Sequence, residues 1–173
     1  MTENSADTAL LIIDVQRELF QKSTPIYQAK ELLENLATLT DCAHQANIPI
    51  IYVQHSSNAF LIKGSDGWQL HPRLKPLESE KIIHKLHPSA FEGTELKDEL
   101  DSMGIKKLVI AGLVTHGCVK ATSLDALKHG YQVVLVSDAH SSYSKDAPKL
   151  IKEWNEKIGK KGATLKTTLE IAF

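Results

Sequence analysis

A chain of 173 residues, 42% of them hydrophobic and 24% charged, is long enough to bury a full core in one domain without disulfide or metal staples. Its formal net charge is −1 with the two signs well mixed, which argues against nucleic acid and against a membrane surface as partner and leaves a small molecule. Cys42 and Cys118 lie far apart and outside any CxxC or Cys/His ligand spacing, the usage of a reduced cytoplasmic protein rather than a secreted or zinc-finger one. The leading Met1 to Asp7 stretch is polar with no apolar signal core, and no apolar run approaches the ~20 residues of a membrane span.

Strand-length apolar runs alternate with segments of helical period. The expected strands are 9–14, 48–54, 81–85, 107–113 and 131–137, with a last one over 163–168. Pro25 suits the first turn of a helix running to Ala46, where Leu32, Leu33, Leu36, Leu39 and Ala43 recur at helical spacing and Cys42 reads as a small buried thiol. Thr94 caps a helix to Met103, Gly130 ends one that starts near His116, and a further helix runs from Asp146 to Ile158. Strands such as Leu10-Leu11-Ile12-Ile13 lack polar alternation, as expected where helices cover both faces of a parallel sheet. The expected fold class is therefore α/β, a single-domain three-layer α/β/α sandwich with a mostly parallel, Rossmann-like sheet. Neither G-x-G-x-x-G nor G-x-x-x-x-G-K-[ST] occurs, which argues against a dinucleotide or nucleoside-triphosphate enzyme.

Ligands of such sheets bind outside the carboxyl ends of the strands, where strand order reverses. Asp14 ends the first strand, Lys85 the third, and Cys118 opens the helix after the fourth. With Thr115 as N-cap, Cys118 falls at the third helical position, where unpaired N–H groups and the helix dipole favour a thiolate and can hold an oxyanion. That segment alone is equally consistent with a cysteine that merely fits between helix and sheet. Asp14 reads as a partly desolvated base or as a helix cap, and Lys85 as an electrostatic partner or a solvated lysine. Gln16 organises a loop or contacts substrate. His55 contacts substrate or makes a structural hydrogen bond, and no compact His spacing supports a metal. His44 and His129 read as exposed helix residues and His116 as a solvent-facing one. The 56–80 stretch is too long for an ordinary connection, so its Trp68, with Phe20 and Phe91, is expected to wall a pocket.

Taken together, the chain resembles the isochorismatase-like cysteine hydrolases, which include nicotinamidases, N-carbamoyl amidohydrolases and isochorismatases. The resemblance rests on Leu11-Ile12-Ile13-Asp14-Val15-Gln16, on Gly64-Ser65-Asp66-Gly67-Trp68-Gln69-Leu70-His71-Pro72, and on Lys85 with Ser89-Ala90-Phe91 and Gly93-Thr94. It continues through Gly112-Leu113-Val114-Thr115-His116-Gly117-Cys118-Val119, Thr122 and Ser137-Asp138-Ala139. It implies Asp14 as general base, Lys85 as electrostatic partner and Cys118 as nucleophile. It also implies a cis peptide between Leu113 and Val114, with the Val114 and Cys118 N–H groups as oxyanion donors, and a homo-oligomer. Thr115 joins Gln16, Phe20, His55, Trp68 and Phe91 as expected substrate contacts.

The departures are also informative. Nicotinamidases of the family carry a D-x-H metal motif after the second strand, and here that place reads His55-Ser56-Ser57. No metal and no cofactor are therefore expected. True isochorismatases cleave a vinyl ether and commonly lack the cysteine, so Cys118 favours cleavage of a C–N bond in a small amide, ureido or carbamoyl substrate through a thioester. Two alternatives stay open: vinyl-ether hydrolysis with Asp14 as acid, and a non-catalytic binding or assembly homologue. A thiol redox protein is disfavoured because no resolving cysteine lies nearby.

Overall fold

A computed structural model describes residues 5–173, so the first four residues of the polar leader lie outside it. Six strands form one parallel sheet: β1 (Thr8–Ile13), β2 (Ile50–His55), β3 (Lys81–Lys85), β4 (Lys107–Leu113), β5 (Gln132–Ser141) and β6 (Thr164–Lys166). The helices are α1 (Ala29–Gln45), α2 (Leu96–Ser102), α3 (Lys120–Lys128) and α4 (Ala147–Lys160). Among the described residues no helix is long and apolar enough to cross a membrane.

The sheet order is β3-β2-β1-β4-β5-β6. The chain winds outward from β1 in one direction, then returns to start again at β4, so the order reverses between β1 and β4. This leaves a crevice beyond their carboxyl ends. All of β1 is buried because successive side chains serve opposite faces. Leu10 and Ile12 pack in a core with Leu32, Leu36, Leu39 and Ala43 of α1. Ala9, Leu11 and Ile13 pack in a second core to which α2, α3 and α4 contribute Leu96, Leu100, Ala126 and Ile158. Truncating a leucine in either core to alanine costs about 2–5 kcal/mol.

The four helices end alike. A left-handed residue (Asn47, Gly104, Gly130 or Gly162) follows each, and the next N–H reaches back to the helix carbonyl of Ala43, Leu100, Ala126 or Ile158. These closures satisfy terminal carbonyls and aim the chain into the following strand or strand-side core.

Several boundaries differ from expectation, for local reasons. Helix α1 begins at Ala29 rather than near Pro25, because Gln28 takes a left-handed conformation. Cys42 is exposed on that helix, not buried. Strand β5 runs on to Ser141, four residues past its expected end, after a register shift in its pairing with β4 puts His140 opposite Gly112. Helix α3 does not start at His116. Residues Thr115–Val119 form a wide π-type turn broken at Gly117 (φ −114°, ψ −110°), and the regular helix begins only at Lys120.

Candidate active site

Three strand ends converge on the crevice. Asp14 follows β1 with φ 51°, a left-handed conformation that aspartate tolerates better than most residues, and its N–H is held by the Val53 carbonyl at 3.0 Å. Gly112, near the end of β4, has φ 125°, and a Cβ there would collide with the Ile13 backbone. Only glycine lets β4 pass β1 this closely. The Leu113–Val114 peptide that follows is cis.

At the centre lies the Lys85 ammonium, its side chain wholly excluded from solvent. Four acceptors surround it, Asp14 Oδ2 at 2.9 Å, His55 Nδ1 at 3.0 Å, the Cys118 sulfur at 3.1 Å and the His87 carbonyl at 3.2 Å, so its three N–H protons are shared among them. Burial pushes the Asp14 carboxyl above its ordinary range despite the opposing pull of Lys85, and its Oδ1 has no hydrogen-bond partner. Burial, with the Asp14 charge beside it, pushes the Cys118 thiol up to about 12. This corrects the expectation of a helix-start thiolate: Cys118 lies just after the break at Gly117, desolvated and beside a carboxylate, and its resting form is the thiol. His55 is half-buried, and burial followed by Lys85 lowers its pKa, so the ring is neutral near pH 7. With Nδ1 accepting from Lys85, its proton sits on Nε2.

Gln16, fully buried, clamps the second strand to the long loop. Its Oε1 accepts from the His55 N–H at 2.9 Å, while Nε2 donates to the carbonyls of His55 (3.0 Å) and Trp68 (2.8 Å). Trp68 is buried, stacked on His84 with its Nε1 donating to Ser56 Oγ at 2.9 Å. Phe20 packs against the His71 ring and Phe91 against His129 and Tyr131. Thr115 makes no side-chain cap. It is fully buried, its hydroxyl 2.8 Å from His140 Nδ1. His116 is half-buried, with Nδ1 unpartnered, rather than solvent-facing, and His44 bonds Glu80 at 2.6 Å. A cavity of about 620 Å³ opens beside Lys85, walled in part by Ser57, Asn58, Ile62, Lys63 and His87.

Asp14, His55 and Cys118 each offer one potential metal ligand atom, all within 4.8 Å of one another. That N, O, S set would suit zinc. The Lys85 ammonium, however, already bonds all three, so an ion could enter only by displacing it.

A family model for the isochorismatase domain matches residues 8–154. The chain belongs to the isochorismatase family. Relatives in this family include the uncharacterized protein YddQ of Bacillus subtilis, 33% identical over 137 residues, 76% of each chain. A streptothricin hydrolase of Streptomyces noursei is 30% identical over 78% of this chain but only 50% of its own length. The crystal structure of an isochorismatase from Pseudomonas putida superposes with a TM-score of 0.89 at 28% identity, covering 98% of this chain and 92% of that one. This isochorismatase-family protein is a hydrolase. His140 and Asn155, bonded to each other beside the Cys118 turn, carry no motif in the sequence. The only signal was a polar pair, His140 after Ser137-Asp138-Ala139 and Asn155 on the following helix.

Proposed function

We propose that the protein is a cysteine hydrolase that cleaves a C–N bond of a small amide, ureido or carbamoyl substrate. The observation that carries this reading is the single ammonium of Lys85 bonded at once to the Asp14 carboxylate and the Cys118 sulfur. A relative named for hydrolysing streptothricin supports a hydrolytic role.

Because the resting sulfur is protonated, attack and deprotonation go together. Asp14, a stronger base than an ordinary carboxylate because burial raises its pKa, takes the thiol proton as sulfur adds to the carbonyl carbon. Lys85 stays within reach of both groups and balances the charge as it moves between them. The N–H groups of Val114 and Cys118 hold the oxyanion, each such donor being worth about 3 kcal/mol. Collapse expels the amine, which takes the proton from Asp14. Water, deprotonated by Asp14, then adds to the thioester and releases the acid and the thiol.

A second reading uses Asp14 as the acid in vinyl-ether hydrolysis, favoured by its raised pKa and its unpartnered Oδ1. Ammonia release from a panel of small amides, ureido acids and carbamoyl amines, with isochorismate assayed in parallel, tests both. Turnover of an amide by the wild type and its loss in Cys118→Ala supports C–N cleavage, whereas full turnover of the best amide by Cys118→Ala overturns it. Isochorismate turnover that survives Cys118→Ala and fails in Asp14→Asn supports the second reading. Absence of any turnover with a readily exchanged ligand would favour a binding protein.

A further inference from the structure

We propose that Thr115, His140 and Asn155 are positioning residues, a one-way hydrogen-bonded chain that fixes the turn carrying Cys118 against β5 and α4. The turn needs such an anchor. Between the cis-linked Val114 and the break at Gly117 it has no side-chain cap; Gly117 N–H and Val119 N–H reach the Val114 carbonyl at 3.1 and 3.3 Å, and the Lys120 N–H bonds back to the turn's carbonyls. Thr115 and Val119 are the buried residues inside it, Thr115 the polar one, and the register of β4 with β5 sets His140 opposite Gly112, two residues before that cis-linked Val114.

The direction of the chain follows from its far end. The Ser137 carbonyl can only accept, so the amide nitrogen of Asn155 faces it, at 3.2 Å. Asn155 Oδ1 then faces His140 Nε2 at 2.8 Å and must receive its proton. His140 Nδ1 is therefore bare and accepts from the Thr115 hydroxyl, also at 2.8 Å. Every link is determined, and the imidazole must stay neutral for the chain to hold. Burial keeps His140 near 4, low enough for that throughout the neutral range.

The groups facing His140 are few. Asp138 on the same strand pulls its pKa upward, but that carboxylate is occupied by the N–H and hydroxyl of Thr168. Glu31 and Tyr27, on the α1 side, line with His140 a cavity of about 370 Å³, and α4 contributes Asn155, Pro148 and Ile151.

The catalytic part of this inference rests on the cysteine-hydrolase reading, so the test includes readouts that need no substrate. Thr115→Val removes the first link without changing shape, and Thr115→Ser keeps it. Asn155→Asp, on a half-buried helix position, gives up the bond to the Ser137 carbonyl, places a carboxylate against Nε2 and raises the His140 pKa. The imidazolium then donates from Nδ1 as well, which reverses the link to Thr115 and leaves the Nε2 link as it was. Nitrogen-15 spectra of the wild-type imidazole should show the proton on Nε2 alone. Iodoacetamide labelling of Cys118, resolved from Cys42 by peptide mass, should change about fivefold or more in Thr115→Val and Asn155→Asp but not in Thr115→Ser, at a temperature where each protein is shown by its melt to be fully folded. On a turned-over amide, Thr115→Val should lose about tenfold in kcat with KM within twofold, and Asn155→Asp should gain an acid limb between pH 5 and 8 that the wild type lacks. Equal labelling in all four proteins, or a wild-type proton on Nδ1, overturns the proposal. If Thr115→Val does not fold, Asn155→Asp alone decides. Failure to find any amide substrate would defeat the C–N cysteine-hydrolase reading and leave the labelling and spectra to judge this one.

Discussion

The Lys85 ammonium lies 2.9 Å from a carboxylate oxygen of Asp14, and the two side chains are 0% and 4% exposed. The same ammonium donates to the Cys118 sulfur at 3.1 Å, so one cation serves two acids that compete for it. Burial, with the Asp14 charge added to it, holds the thiol up at about 12.

Removing that charge while keeping Lys85 should separate reactivity from catalysis. In Asp14→Asn the ammonium has only the sulfur to neutralise, and the Cys118 pKa should fall from about 12, with burial alone still opposing the thiolate. Alkylation of Cys118 at pH 8 should rise tenfold or more, and thiolate absorbance should appear at lower pH. Turnover should drop by roughly 10²–10⁴ because the base is gone. A variant in which labelling and turnover decline together would show that Asp14 acts by holding the fold and not as the base.

Gln16 offers a test of loop architecture. Its amide makes three hydrogen bonds in a fully buried place, two to His55 and one to Trp68, and so ties the end of β2 to the long 56–80 segment. Gln16→Ala leaves the His55 N–H without its Gln16 partner, while the Trp68 carbonyl keeps its bond from Gln54 Nε2 at 3.0 Å, and should cost roughly 1–3 kcal/mol in urea unfolding. Hydrogen exchange should quicken across 56–71 while the strands far from it, β5 and β6, keep their protection. Uniform loss of protection across the sheet would mean that the amide supports the core and not the loop.

The layered parallel sheet was legible because its strands are unbroken apolar runs and its helices have clean periods and glycine or asparagine stops. The convergence of Asp14, Lys85 and Cys118 was also legible, since the switch-point rule turns strand ends into a place. What sequence did not reveal depends on tertiary environment. Cys118 read as an activated thiol from its helix-start position, but burial and the Asp14 charge outweigh the dipole. Thr115 read as a cap, yet its hydroxyl is taken by His140, a pairing 25 residues apart that depends on the register shift in β5. Trp68 read as a pocket wall, and the structure buries it with its Nε1 bonded to Ser56, whereas Gln16 organises the long loop as one of its two sequence readings had it.

His140 makes stability depend on acidity. Its pKa is about 4 in the folded protein against an ordinary 6.5, so below 6.5 the unfolded chain binds a proton that the native state does not. Native stability is therefore full above about 6.5 and declines as pH falls toward 4. The loss approaches about 3 kcal/mol for this one group. Urea midpoints measured at pH 7.5, 5.5 and 4.5 should show this slope in the wild type and a flatter one in His140→Asn, which retains an acceptor for Thr115 but does not titrate. Parallel slopes in the two proteins would place the acid sensitivity elsewhere.

The cluster around Lys85 also predicts what happens when its cation is taken away. Lys85→Ala removes one partner of a buried ion pair, a change that typically costs about 3–5 kcal/mol, and leaves Asp14, His55 and Cys118 facing a cavity with ligand atoms within 4.8 Å. A divalent ion that prefers N, O and S donors restores the missing charge and draws the thiol proton off. Titration of the variant with Co²⁺ should produce a sulfur-to-metal absorption band and raise the melting temperature in a concentration-dependent way, since the ion binds only the folded site. Both effects should vanish in the Lys85→Ala, Cys118→Ala double variant. The wild type should show neither near neutral pH, because an ion must there expel the ammonium and ionise a thiol whose pKa is about 12. If wild type and variant titrate alike, the ammonium does not occupy the place a metal would take, and the electrostatic role assigned to Lys85 falls with it.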